Sequence, residues 1–80
     1  MEYDGIEEFI TKRFTEYMKL FQISVNKLHE VLGVARSTVQ RYLDGKTTPP
    51  MHFIDSFLRY IQVDYDVFFE PYSIKKRVLA

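Results

Sequence analysis

The 80-residue chain contains no cysteine and no tryptophan, has only three glycines and three prolines, and carries no net charge. Without cysteine there is no disulfide, no thiolate metal ligand and no cysteine nucleophile. No apolar run approaches the roughly 18 residues that suggest a membrane-spanning helix. No basic and apolar leader ending in small residues is read at the start either. A cytoplasmic location without membrane attachment is therefore expected. The histidines are His29 and His52 alone; they fall in different predicted helices and have no cysteine partners, so no zinc site is expected. Glycines 5, 33 and 45 stand apart, which excludes a glycine-rich phosphate loop. The carboxylates are scattered rather than set in the close pairs that tune acid–base chemistry. The sequence thus predicts no enzyme, no cofactor and no small-molecule substrate.

Seven Phe and six Tyr supply the apolar bulk. That matters because a domain this small buries only about 60% of its unfolded surface. One domain is expected. Lysine plus arginine equals aspartate plus glutamate at eleven each, which by itself argues against a strongly basic nucleic-acid binder. The charges are nevertheless segregated. Residues 1–16 set Glu2, Asp4, Glu7, Glu8 and Glu16 against Lys12 and Arg13, a net −3. Residues 24–48 set Lys27, Arg36, Arg41 and Lys46 against Glu30 and Asp44, a net +2. Residues 49–71 return to −3, with Arg59 against Asp55, Asp64, Asp66 and Glu70. Residues 72–80 carry Lys75, Lys76 and Arg77 and form a basic C-terminal tail.

Ile6, Phe9, Ile10, Phe14, Tyr17, Met18 and Phe21 recur at intervals of three and four, which predicts a helix over 6–21. Ser24 is a candidate cap for a second helix over 24–32, built on Val25, Leu28, Val31 and Leu32 and ended by Gly33. A third helix is expected over 36–43, closed by Asp44 and Gly45. The stretch "TTPP" is a loop, and Pro50 is placed to open a fourth helix over 51–61 within its first turn. Asp64 is a candidate cap for a last short helix over 64–69, before Pro71 breaks the chain. Nothing predicts a strand pair. The expected fold class is all-α, with five short helices over residues 1–71.

The third helix carries the functional signal. With Arg36 at 0° and about 100° per residue, Gln40 falls near 40°, Ser37 near 100° and Arg41 near 140°. Ala35, Val39, Tyr42 and Leu43 fall on the opposite side. A face bearing two arginines, a glutamine and a serine suits a DNA major groove. Arginine forks onto guanine O6 and N7, glutamine pairs with adenine N6 and N7, and serine bonds to a base or a phosphate. A solvated surface helix carries a similar mixture, and composition alone leaves both readings open.

The stretch "SVNKLHEVLGVARSTVQRYLDGKTTPP" resembles the helix-turn-helix of the phage repressor and Cro family. The likeness includes Ser24, Leu28, Leu32, the turn at Gly33 and Val34, Val39, and the closing "DGK…PP". "FLRYIQVDYDVFF" is similar to that family's later helices, and the whole likeness covers roughly residues 6–69. It implies a lambda-repressor-like domain that binds double-stranded DNA, regulates transcription, and reads the major groove with the third helix. It further implies base contacts from Arg36, Ser37 and Arg41, with Gln40 beside them. Phosphate contacts would come from Asn26, Thr38, Lys46 and Thr47. A protein-interaction module of the same fold, without DNA contact, is the alternative that the neutral charge favours.

Three positions depart from the family pattern. His29 stands where a small residue is usual, and is expected to be a half-buried, hydrogen-bonded structural histidine. Ala35 stands where a serine or threonine commonly caps the third helix. Gln62 replaces a common glycine. The late aromatic residues Phe53, Phe57, Tyr60, Phe68 and Phe69 exceed what so small a domain easily hides, so a homodimer through the late helices or the tail is a further expectation.

Overall fold

The computed structural model describes residues 5–71. Five helices follow one another: α1 (Ile6–Leu20), α2 (Val25–Leu32), α3 (Arg36–Leu43), α4 (Met51–Ile61) and α5 (65–71). No strand occurs among the described residues. The α4 bounds are those expected, whereas α1 stops at Leu20 and α2 starts at Val25, each one residue inside its expected range. Pro50 stands at the N-cap of α4 (φ −71°, ψ 161°), one position before the helix, where its missing N–H costs nothing. The last helix runs through Pro71 rather than breaking before it, and Asp64 starts it with its backbone carbonyl, which accepts from Phe68 N–H at 3.1 Å. The Asp64 side chain makes no capping bond among the described residues. The basic tail 72–80 and the expectations placed on it lie outside the described residues.

A single aromatic cluster holds the helices together. Phe14 of α1 is fully buried and meets Tyr42 of α3 edge-on at 6.4 Å. It meets Phe53 and Phe57 of α4 at 5.5 and 4.9 Å, again edge to face. One side chain thereby ties three helices, and edge-to-face ring pairs contribute about 0.5–1.5 kcal/mol each beyond the area they bury. Leu28, Val39, Ile54 and Leu58 complete the core. At the other end, Phe9 packs between Phe68 at 6.3 Å and Phe69 at 5.7 Å, which seats α5 on α1.

Arg13 locks that second junction. Its Nε donates to the Phe68 carbonyl at 2.9 Å, and one terminal nitrogen donates to the Val67 carbonyl at 3.1 Å. That nitrogen also donates to the Tyr17 hydroxyl at 2.8 Å, and the guanidinium lies 4.7 Å from the Tyr17 ring centre. The positive group therefore satisfies carbonyls of α5 across more than fifty residues of chain, and Glu16 stands 3.5 Å from it. Arg13 serves the fold.

Helix ends are turned by left-handed residues. After α1, Gln22 takes φ 55°; its N–H bonds to the Lys19 carbonyl, and Ile23 N–H reaches back to Met18 at 2.9 Å. After α3, Gly45 (φ 76°) does the same, with Lys46 N–H on the Arg41 carbonyl at 3.0 Å. After α4, Gln62 (φ 59°) does so with Val63 N–H on the Leu58 carbonyl at 3.0 Å. Each is a Schellman arrangement, in which the left-handed residue lets two final carbonyls find donors. The half-buried Ile23 and Val63 then pack on the core, which anchors the reversal. A glutamine in that conformation costs roughly 1 kcal/mol that glycine avoids. Gln62→Gly is therefore expected to raise unfolding stability by about 0.5–1 kcal/mol, read as a higher denaturant midpoint at unchanged slope.

Candidate nucleic-acid interface

The geometry of α3 begins with its anchoring. Its eight residues would be marginal as an isolated helix in water. They are held by Val39, fully buried, and Tyr42, which touches Phe14 and lies 4.8 Å from Phe53. Both anchors lie on one side. Arg36, Ser37, Gln40 and Arg41 consequently point away from the core, and all four are exposed. Neither guanidinium has an ion-pair or hydrogen-bond partner among the described residues. The basic face is open.

The start of α2 joins the same surface. A shallow depression lined by Val25, Arg36, Ser37 and Gln40 places the first turn of α2 against the polar side of α3. Ser24 caps α2 as expected, its Oγ accepting from Lys27 N–H at 3.0 Å. Asn26, in that first turn, is exposed. Lys46 and Thr47, in the loop after α3, are exposed as well, and the Gly45 turn fixes where that loop leaves the helix. Thr38 is half-buried, on the flank between the polar and apolar sides of α3. It is the least accessible of the residues singled out for phosphate.

The turn between α2 and α3 uses Gly33 at φ 69°, with its N–H on the His29 carbonyl at 3.0 Å. His29 is half-buried, and its Nδ1 lies 3.1 Å from the Val34 carbonyl oxygen. A carbonyl only accepts, so Nδ1 carries the proton and donates. The His29 ring thus folds over the turn and satisfies one of its carbonyls.

Ala35 stands at the N-cap of α3 with extended backbone (φ −65°, ψ 142°) and no side-chain cap. Its carbonyl accepts from Thr38 and Val39 N–H at 3.0 and 3.2 Å. The N–H groups of Arg36 and Ser37 find no acceptor among the described residues. These two donors, with the positive end of the helix dipole, favour an anion in front of the helix.

One polar residue on this face escapes a search that stops at the helix end. Asp44, read from sequence only as a stop signal, lies about 80° around the α3 wheel from Arg36, between Gln40 and Arg41. Its Oδ1 accepts from Gln40 Nε2 at 3.0 Å. Carrying the helical step one residue past Leu43 would have found it.

The late helices hide more than their composition suggests. Phe53, Phe57 and Phe68 are buried and Phe69 is half-buried. Met51, Tyr60, Tyr65 and Val67 are the large apolar side chains left exposed there. Tyr65 is further tied down, its hydroxyl donating to Asp55 at 3.0 Å. Among the described residues no cluster of metal-ligating side chains occurs, and no helix is long and apolar enough to cross a membrane.

Comparison of the chain with family models, with curated proteins and with solved structures finds no match in any of the three. Function therefore rests on geometry and chemistry. The uncapped start of α3 gives one direct check. Ala35→Ser supplies an oxygen at a position whose backbone already suits a cap, and is expected to stabilise the domain by about 0.5–2 kcal/mol, measured by thermal or urea unfolding.

Proposed function

We propose that the domain binds specific duplex DNA by inserting α3 into the major groove and acts as a transcriptional regulator. The observation that carries this reading is the pair of exposed guanidinium groups, Arg36 and Arg41, on one side of a helix anchored wholly from the other. Arg36, Ser37, Gln40 and Arg41 are the base readers in this reading. Asn26, Thr38, Lys46 and Thr47 hold the backbone alongside, with the free N–H groups at the start of α3. Bound to an operator, the domain excludes polymerase or a competing regulator, so repression needs no chemistry. That repressor role, and the lambda-repressor-like assignment of the fold, rest on the sequence resemblance.

One copy spans a single half-site. A homodimer on half-sites about 34 Å apart would double the contacts, and exposed Tyr60, Tyr65 and Val67 offer apolar surface for it.

A second reading is a protein-interaction module without DNA contact. It is favoured by the zero net charge and by Leu20 and Phe21, exposed at the end of α1 to 68% and 44%. Salt separates the two. Binding to random duplex is expected to weaken as salt rises, with a log–log slope of roughly −1 for each cation, Lys46 first, that meets a phosphate. Absence of retention at low salt, in a filter or mobility assay, would favour the interaction module.

Within the DNA reading, Arg41→Ala is expected to weaken a selected site by about 1–3 kcal/mol while random-sequence binding barely changes. Equal losses on both, measured by titration at one salt concentration, would reassign Arg41 to phosphate.

A further inference from the structure

We infer that Asp44 is a positioning residue that sets which base Gln40 accepts. The inference deepens the DNA-binding reading and rests on it. A carboxylate at the C-terminal end of a groove-facing helix, on the same side as its cations, is otherwise unfavourable, because it repels the phosphates that those cations attract. Asp44 is exposed and has no cation within ion-pair distance among the described residues. Its described side-chain contact is with Gln40 Nε2, 3.0 Å away.

That contact removes an ambiguity. A glutamine amide is nearly symmetric in shape, and a half-turn exchanges its acceptor oxygen with its donor nitrogen. A free Gln40 could therefore offer two N–H donors to guanine, whose groove edge presents the acceptors N7 and O6. Held by Asp44, Nε2 keeps one hydrogen on the carboxylate. What remains is one N–H beside the acceptor Oε1. This matches adenine, which accepts at N7 and donates from N6. Guanine is disfavoured twice: Oε1 would face a second acceptor, and the adjacent carboxylate repels O6. The lone negative charge on the face thus converts an adaptable amide into a selective one.

The test is the base profile of the intact chain. Wild type, Asp44→Ala and Asp44→Asn are each used to select duplexes from a random synthetic pool, and affinities are then measured for sites differing at the selected steps. Wild type is expected to prefer adenine at one step. Asp44→Ala is expected to lose at least about fivefold of that preference, the low end of what a bidentate pair supplies. Preferences owed to Arg36 and Arg41 stay unchanged. Asp44→Asn retains a carbonyl acceptor, so it is expected to keep the adenine preference while binding all duplexes more tightly. In a Gln40→Ala background, Asp44→Ala is expected to change no base preference further, as for a residue acting through its neighbour.

Uniform affinity changes at every step in Asp44→Ala, or equal loss of selectivity in Asp44→Ala and Asp44→Asn, would overturn the inference and leave DNA binding standing. Failure of the wild type to retain any duplex would overturn both.

Discussion

The seating of Tyr42 against Phe14 is the contact on which the candidate interface depends. An eight-residue helix has little stability of its own, so α3 stays helical only while Val39 and Tyr42 hold it on the body. Phe14 receives Tyr42 and simultaneously meets Phe53 and Phe57, so α3 is oriented by the same ring that joins α1 to α4. Because the contact is edge-on and one-sided, every residue on the far face is released to solvent. The freedom of Arg36 and Arg41 is a consequence of how aromatic α1 is. A polar helix face belongs to a site only when something rigid stands behind it.

Net charge is a poor guide to such a surface, since different cations in this chain have different employment. Arg13 is drawn into the body to satisfy two carbonyls of α5, and Arg59 pairs with Asp55 one turn away at 3.1 Å. Lys12 pairs with Glu8 at 2.8 Å within α1. Arg36, Arg41 and Lys46 are exposed and have no ion-pair partner among the described residues. The overall balance of zero is an average over groups that do unrelated work.

The same economy appears where helices end. Two of the three Schellman reversals are made by glutamine rather than glycine, so local strain is accepted at Gln22 and Gln62. It is offset by the apolar residue that follows each, Ile23 or Val63, packing on the core. The third, at Gly45, follows α3 and fixes the direction in which Lys46 leaves the helix. There the backbone geometry serves the surface as well as the fold.

Much of this was legible in the residues. The periodicity of 6–21, the Ser24 cap, the Gly33 stop, the limits of the third helix and its division into apolar and polar sides follow from local spacing and local backbone chemistry, which a one-dimensional string encodes. The uncapped Ala35 and the bonded, half-buried His29 were legible for the same reason, each being judged against its immediate neighbours. Three things were decided only in three dimensions. Arg13 meets Val67 and Phe68 across more than fifty residues, a separation at which charge spacing carries no signal. Helix ends at Gln22 and Gln62 bear no glycine mark, because the core contact of the next residue, rather than intrinsic preference, selects the left-handed turn. Asp44 looked like punctuation until the helix placed its carboxylate one turn from Gln40 on the exposed side. The string set which segments are helical and which sides are greasy; side-chain packing chose which charges the fold consumes and which remain available to a partner.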